Sequence, residues 1–278
     1  MRFASPILSQ IGFVGLASLA MSAWAGDPWA DRVAFYDRGD SPAGFLTDPT
    51  TAIGSPERFT GEGSFPGAVT MFNPPFGADE IVRIGRGGAL VLEFNEPITD
   101  DAAHPFGVDF IVFGNGGFID VDYPNGRIDG SATIFGLDPM RVSVSGDGVD
   151  FVALGEFSEG LFPTQGYADV APFDAPPGSV PTDFTRPMNP SLTQADFAGL
   201  TYAEALGLYA GSGGGTPIDI AGSGLTAVRF VKIEAIDTGD DDVAVEIDAI
   251  ATVPEPGAAL AMLLLGGLAL RRGTLRRA

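Results

Sequence analysis

Short apolar runs of strand character, each fenced by glycine or proline, recur through the middle of this chain. That punctuation constrains the fold more than any other feature. With 39 glycines and 22 prolines in 278 residues, long helices are interrupted before they can propagate. Arg32–Tyr36 (Arg-Val-Ala-Phe-Tyr) reads as a first strand, and residues 37–79 as mostly loop. Glu80–Ile84 and Ala89–Phe94 read as a hairpin around Gly85-Arg86-Gly87-Gly88, whose glycines can supply positive φ. Gly107–Phe113 is the most apolar run and is expected to be a central strand. Arg141–Ser145 and Val149–Leu154 form a second hairpin around Gly146-Asp147-Gly148, with Val142 and Val144 alternating against polar neighbours. Ala227–Ile236 and Val243–Val253 close the set, with Asp240-Asp241-Asp242 as a solvated loop between them. One short helix is predicted, because Thr201-Tyr202-Ala203-Glu204 is a capping box followed by Ala205, Leu206 and Leu208, with Gly211 to stop it. The reading is all-β: a two-sheet β-sandwich, jelly-roll-like, with long loops and one short helix.

The two ends are of a different kind. Met1-Arg2 is a short basic start, Ile7–Leu19 is mostly apolar, and Ala23-Trp24-Ala25 is a small-x-small cleavage site. These are the parts of a secretory signal peptide cut after Ala25. At the far end, Pro254-Glu255-Pro256 precedes an apolar run over residues 257–270, then Arg271-Arg272 and Arg276-Arg277. As a helix that run is only ~21 Å long against a hydrocarbon core of ~30 Å, a poor permanent span. The basic pairs favour a cytoplasmic C-terminus. This order of motif, greasy segment and basic stop resembles the PEP-CTERM sorting signal of Gram-negative surface proteins. The resemblance implies a precursor held transiently in the inner membrane, then cut near Pro254-Glu255-Pro256 by an exosortase and displayed at the cell surface or in the extracellular matrix. Signal peptidase would act at the other end. The domain division is therefore 1–25 signal peptide, 26–253 β-sandwich, and 254–278 sorting signal with its short transmembrane segment.

The part between the ends, about 228 residues, can bury a sufficient core as one β domain. There is no cysteine, so no disulfide can form despite the export route. The whole chain has 15 Lys+Arg and 36 Asp+Glu. The ends hold five of the arginines and Glu255, which leaves 10 basic and 35 acidic residues, a net charge of −25. Nucleic acid is excluded as a partner, because phosphate binding needs clustered Lys and Arg. Most of the acids are read as solvated surface groups that keep an exported protein soluble.

A second resemblance lies in the order of six segments: residues 87–94 (Gly-Gly-Ala-Leu-Val-Leu-Glu-Phe), 108–115 (Val-Asp-Phe-Ile-Val-Phe-Gly-Asn), 142–151, 216–221 (Thr-Pro-Ile-Asp-Ile-Ala), 228–233 and 245–250 (Val-Glu-Ile-Asp-Ala-Ile). The series resembles a group of bacterial cell-surface proteins with a discoidin-like, galactose-binding-like sandwich, over residues 31–252. The chain departs from the group at Gly114, where the group carries Glu before the Asn. It also has Ile-Asp-Ile and Glu-Ile-Asp where the group has Phe-Asp-Leu. In related sandwiches a structural Ca²⁺ ties the first loop to the last strand. By that resemblance Asp48, Asp219 and Asp248 are the expected ligands, hard oxygens of the kind Ca²⁺ requires. Otherwise Asp248 caps a strand or faces solvent.

Residue chemistry beyond this is sparse. His104 is the only histidine and reads as a solvated loop residue, so a Ser-His-Asp site or a zinc centre finds no ligands. Asp120-Val121-Asp122 is one residue out of step with a Ca²⁺-binding helix–loop–helix spacing and is better read as an acidic turn. The expected function is a non-catalytic surface or matrix protein that binds or structures extracellular polysaccharide. The alternative is an enzyme acting on that matrix, a glycosidase or lyase using two of the many carboxylates. For sugar binding the candidates are the loop aromatics Phe45, Phe59, Phe65, Phe72, Phe76, Tyr167 and Phe173. Two would have to lie side by side, exposed, and flanked by polar groups.

Overall fold

The computed structural model describes residues 26–42, 44–61, 65–239 and 244–254. Ala23, Ala25, Glu255, Pro256, Arg271, Arg272 and the Asp240–Asp242 loop lie outside the described residues. In chain order the strands are β1 (Arg32–Asp37), β2 (Phe59–Thr60), β3 (Gly67–Ala68), β4 (Val82–Gly85), β5 (Ala89–Thr99), β6 (Phe110–Gly114) and β7 (Gly117–Phe118). They continue with β8 (Ile134–Phe135), β9 (Pro139–Ser145), β10 (Val152–Ser158), β11 (Thr216–Ile218), β12 (Ala227–Ala235) and β13 (Ala244–Thr252). One α-helix, α1, spans Tyr202–Tyr209. No helix among the described residues is long and apolar enough to cross a membrane.

Nine strands build two antiparallel sheets. One runs β1-β5-β12-β9-β10 and the other β11-β6-β13-β4. Of the connections along these nine strands, only β9 to β10 stays within a sheet. All the others cross between sheets, as in a jelly roll. This corrects the reading of residues 80–94 as a hairpin. β4 pairs with β13 and β5 pairs with β1 and β12, so the two belong to opposite sheets. The glycine turn between them is a corner, held by the 38–41 loop: Gly85 N–H donates to Arg38 O (2.9 Å) and Asp40 N–H to Arg86 O (3.1 Å). The second predicted hairpin is present, with Val144 opposite Val152 and Pro139 opposite Ser158.

The main core fills the space between the sheets. Leu90, Leu92, Phe94, Val142, Val144, Val231 and Ile233 face it from one side, and Val82, Ile84, Phe110, Val112, Val245, Ile247 and Ile250 from the other. The four-stranded sheet is covered on its second face as well. Ile111, Phe113 and Ala251 pack there with Phe184 and Val253, the rings of Phe113 and Phe184 meeting edge-on at 5.2 Å. Burial on both faces is why β6 and β13 read as nearly continuous apolar runs instead of alternating ones.

The cover over that second face comes from the excursion between β10 and β11. It carries α1, capped as predicted by Thr201 and Glu204 in reciprocal bonds, and supplies Phe162, Phe197 and Tyr209 to a second core that Met71, Phe72 and Phe118 join from earlier in the chain. Phe197 lies at its centre, with ring centroids 5.2 Å from Phe118, 6.0 Å from Phe162 and 6.1 Å from Tyr209. Phe197→Ala is therefore expected to cost about 3–5 kcal/mol in urea or thermal denaturation. Phe35→Ala, on an exposed position of β1, should cost less than about 1 kcal/mol.

Candidate functional site

Between β7 and β8 the chain makes a narrow loop that projects one aromatic side chain into solvent. Its base is closed by Asp120, whose carboxylate accepts the backbone N–H groups of Asp122 (2.8 Å), Arg127 (2.8 Å) and Gly126 (3.1 Å). Val121 N–H donates to Arg127 O at 2.9 Å. The alternating acids of this segment are thus a loop closure, in line with the acidic-turn reading. At the tip Tyr123 is 74% exposed.

The ring of Tyr123 is not free-standing. It lies 4.9 Å from the half-buried ring of Phe173, inclined at 55°. Phe173 lies 6.2 Å from Phe72, which is buried and in turn faces Phe118 (6.5 Å) and Tyr202 (6.1 Å). An aromatic column therefore runs from the second core to the surface, ending in Tyr123. The loop is fixed to the N-terminus of α1 by Tyr202 N–H to Gly126 O (2.7 Å), Ile128 N–H to Leu200 O (2.9 Å) and Arg127 Nη1 to Gly199 O (2.9 Å). Gly126 has φ +75°, and a Cβ there would meet Pro172 Cγ at 2.4 Å, so only glycine lets the loop seat this closely. Asp122, Asn125 and Arg127 are exposed around the tip. A tyrosine held this way offers a rigid amphipathic face at low entropic cost, with charged and amide groups beside it.

Sequence reasoning found half of this platform. Phe173 was among the candidate aromatics, whereas Tyr123 lies in a segment considered only for metal. Phe72 is a core residue. Phe45, Phe65 and Phe76 are exposed, but none pairs with another ring among the described residues. Tyr167 and Phe59 are half-buried, with the Arg58 guanidinium 5.9 Å from the Tyr167 ring.

The three expected Ca²⁺ ligands are not gathered at one place. Asp48 caps the short 3-10 turn Pro49–Ala52, accepting Thr50 N–H (2.9 Å) and Thr50 Oγ1–H (2.6 Å), and these bonds lower its pKa. Asp248 is buried, and both its oxygens receive the Glu57 N–H, at 3.0 and 3.2 Å. Burial pushes its carboxyl well above the usual range. It therefore ties the first long loop to β13 by hydrogen bonds of its own. Asp219 belongs elsewhere, in a group with Asp100 and Asp109 whose oxygens lie within 4.8 Å of one another. These three acids lie close enough to share a cation, though Asp109 is already supplied with donors. It accepts Ile220 N–H (2.9 Å) and Asp101 N–H (3.3 Å) and lies 2.8 Å from His104 Nδ1.

That last contact corrects the reading of His104 as solvated. It is 3% exposed, because the loop after β5 folds over the start of β6, where the buried Asp109 needs partners. An acid inside the most apolar run of the chain is the signal that could have pointed to a buried partner.

A cavity of about 390 Å³ opens at the β4–β5 corner, lined by Arg86, Arg141, Glu234, Asp237 and neighbouring backbone. Its two guanidiniums are engaged by Asp40 (3.1 Å) and Glu156 (3.2 Å).

No protein-family profile matches the chain, and no curated protein matches it. Solved structures similar to it include the C-terminal domain of a chitobiase from Bacteroides fragilis, 10% identical over 59% of this chain and 61% of that one, with a TM-score of 0.23. The chain thus spans less than two thirds of that domain's length. Others are CBM32-1 from a family 31 glycoside hydrolase from Clostridium perfringens (12% identity, 82% and 97% covered, TM-score 0.29) and a GH31 CBM32-2 bound to GalNAc (12%, 81% and 100%, TM-score 0.30).

The column that supports Tyr123 has a measurable consequence. Burial raises the Tyr202 phenol to about 12 and also holds Tyr209 well above the ordinary value of 10. The neutral phenol is favoured in the fold, so the contribution of Tyr202 to stability is constant below pH 10 and falls as pH rises through 10 toward 12. Absorbance at 295 nm should show a late tyrosinate fraction that Tyr202→Phe reduces. Complete ionisation near pH 10 in the folded protein would contradict the buried column.

Proposed function

We propose that this chain is an exported, exosortase-sorted protein of the cell surface or extracellular matrix, which binds polysaccharide through Tyr123 and Phe173 and is not catalytic. The observation that carries the binding is the exposed Tyr123 ring stacked on Phe173 and backed by the second core. Sugar rings present one apolar C–H face, which an aromatic ring covers, and a rim of hydroxyls, which Asp122, Asn125 and Arg127 can meet. The carbohydrate-binding modules among the similar structures are named for the same class of ligand.

The sorting part rests on the sequence of the two ends, and the fold is compatible with both cuts. Thr252 N–H bonds Pro28 O (2.8 Å) and Trp29 bridges Ala251. A chain running from Gly26 to a cut near Pro254 keeps those contacts and the buried Val253. Intact-mass analysis of the surface form should give a start at Gly26 and no Arg-rich tail. Full-length tail in the outer fraction would refute the sorting reading.

For binding, calorimetry against the producer's own exopolysaccharide is the suitable measurement. Tyr123→Ala should weaken affinity about tenfold, about 1.4 kcal/mol, while Phe65→Ala should leave it unchanged. If no polysaccharide fraction binds at millimolar concentration, or if Tyr123→Ala binds as well as the parent, the platform is not the site. Release of reducing ends from the same polysaccharide would favour the enzyme reading instead.

A further inference from the structure

We infer that Glu159, Glu246 and the side-chain oxygen of Asn115 form a binding site for a divalent cation of the hard, oxygen-preferring class, with Ca²⁺ as its probe. The site is separate from the aromatic platform and from Asp48, Asp219 and Asp248. It gathers residues from four strand ends: Glu159 directly after β10, Asn115 directly after β6, Glu246 on β13 and Arg83 on β4.

The argument starts from unmet hydrogen-bonding capacity. Among the described residues, six buried side-chain polar atoms have no partner, and three of them lie in this group: Glu159 Oε1, Asn115 Oδ1 and Arg83 Nε. Glu159 has no solvent exposure at all. Its other oxygen accepts the backbone N–H of Glu246, which sets the carboxylate against β13. Asn115 donates from Nδ2 to Glu246 Oε2, which leaves its oxygen as the unmet atom. Leaving such groups buried without partners is costly, and all three residues border Glu246, so a ligand held there by carboxylate and amide oxygens would answer the need.

Charge selects the ligand. Glu159 and Glu246 stand against one guanidinium, Arg83, whose Nε lies 3.8 Å from Glu246 Oε1. Ionised, the two carboxylates outnumber the guanidinium, and a bound cation offsets the excess. The donors are carboxylate and amide oxygens, with no sulfur or imidazole, which suits Ca²⁺ better than zinc. A hydrated cation also brings water oxygens that Arg83 Nε–H can reach. Glu246 and Arg83 retain side-chain exposures of 16% and 26%, so an ion can enter from their side.

The backbone is shaped for this approach. A Cβ at Gly114 would stand 2.7 Å from Glu246 O and 3.4 Å from Glu159 Cβ. Only glycine lets β6 lie this close to the Glu246 carbonyl of β13, while Glu159 Cβ sits at ordinary contact distance from the same point. The rival acidic group, Asp100, Asp109 and Asp219, lacks this character, since both oxygens of its buried member already receive donors.

The test is calorimetric titration of the purified, chelator-treated protein with Ca²⁺ and, separately, Mg²⁺. One Ca²⁺ site is expected, with a Kd of roughly 10⁻⁴ M or tighter, and a rise in Tm on adding Ca²⁺. Glu159→Gln should weaken Ca²⁺ at least tenfold and remove the Tm shift. Asp48→Asn and Asp219→Asn should leave both unchanged. Circular dichroism verifies each fold. If Glu159→Gln does not fold, Glu246→Gln, at a partly exposed position, carries the same expectation. No heat and no Tm shift in the parent protein would overturn the inference, as would binding that survives Glu159→Gln or Glu246→Gln intact.

Discussion

Strand β13 is buried along nearly its whole length, with both faces covered, yet it carries Glu246 and Asp248. Two acids in a strand with so little solvent access cannot be left to themselves. Much of the architecture around β13 consists of what they require. Asp248 takes the Glu57 N–H and so fixes the first long loop, while Glu246 takes Asn115 and approaches Arg83. The same strand pairs β4 and β6 and receives the N-terminal segment through Trp29 and Pro28. Sheet order, loop placement and the docking of the first residues therefore all meet on one strand.

The second consequence of a doubly covered sheet is the excursion from β10 to β11. Phe113 and Ile111 on the outer face of the four-stranded sheet have to be shielded, and Phe184 does so with the Arg58 guanidinium 4.0 Å over its ring. A segment long enough to reach that face brings its own apolar residues, which condense as the second core. The aromatic column from that core to Tyr123 is thus continuous with the demand created by the sheet. A ring at a loop tip gains a fixed direction because the layer beneath it is packed.

Sequence patterning made visible those elements whose signals are local. The capping box at Thr201, the β9–β10 turn at Gly146-Asp147-Gly148 and the apolar run of β6 each need only neighbours in the chain. Partner choice is not local, which is why residues 80–94 read as a hairpin although β4 and β5 lie in opposite sheets. His104 and Tyr123 escaped for the same reason. Histidine in a polar loop looks solvated until Asp109 is seen beneath it, and Tyr123 gains meaning only from Phe173, fifty residues away. Gly114 is the subtlest case. In the fold a Cβ there would stand 2.7 Å from Glu246 O, so glycine is what lets β6 lie against β13 at this point, a need visible only across strands.

The acidic composition also has a more specific use than solubility. Asp48, Asp147, Asp169, Asp196 and Glu204 are exposed and Asp129 is half-buried, yet each accepts backbone N–H groups within its own loop or turn, and those bonds draw their pKa values down. Asp120 and Asp183 close their loops in the same way. Such bonds to ionised acceptors are stronger than neutral ones, and each satisfies donors that an irregular segment would otherwise leave to water. A chain without cysteine has no covalent staple for loops of this length, and its loops lack the repeated pairing of a sheet. Carboxylates placed two or three residues from the N–H groups they accept, or across one loop as Asp169 is from Ser179 and Val180, supply a local substitute, one loop at a time. The excess of acids over bases is thus put to use where the chain is loop, and the same carboxylates that raise the net charge hold those loops in place.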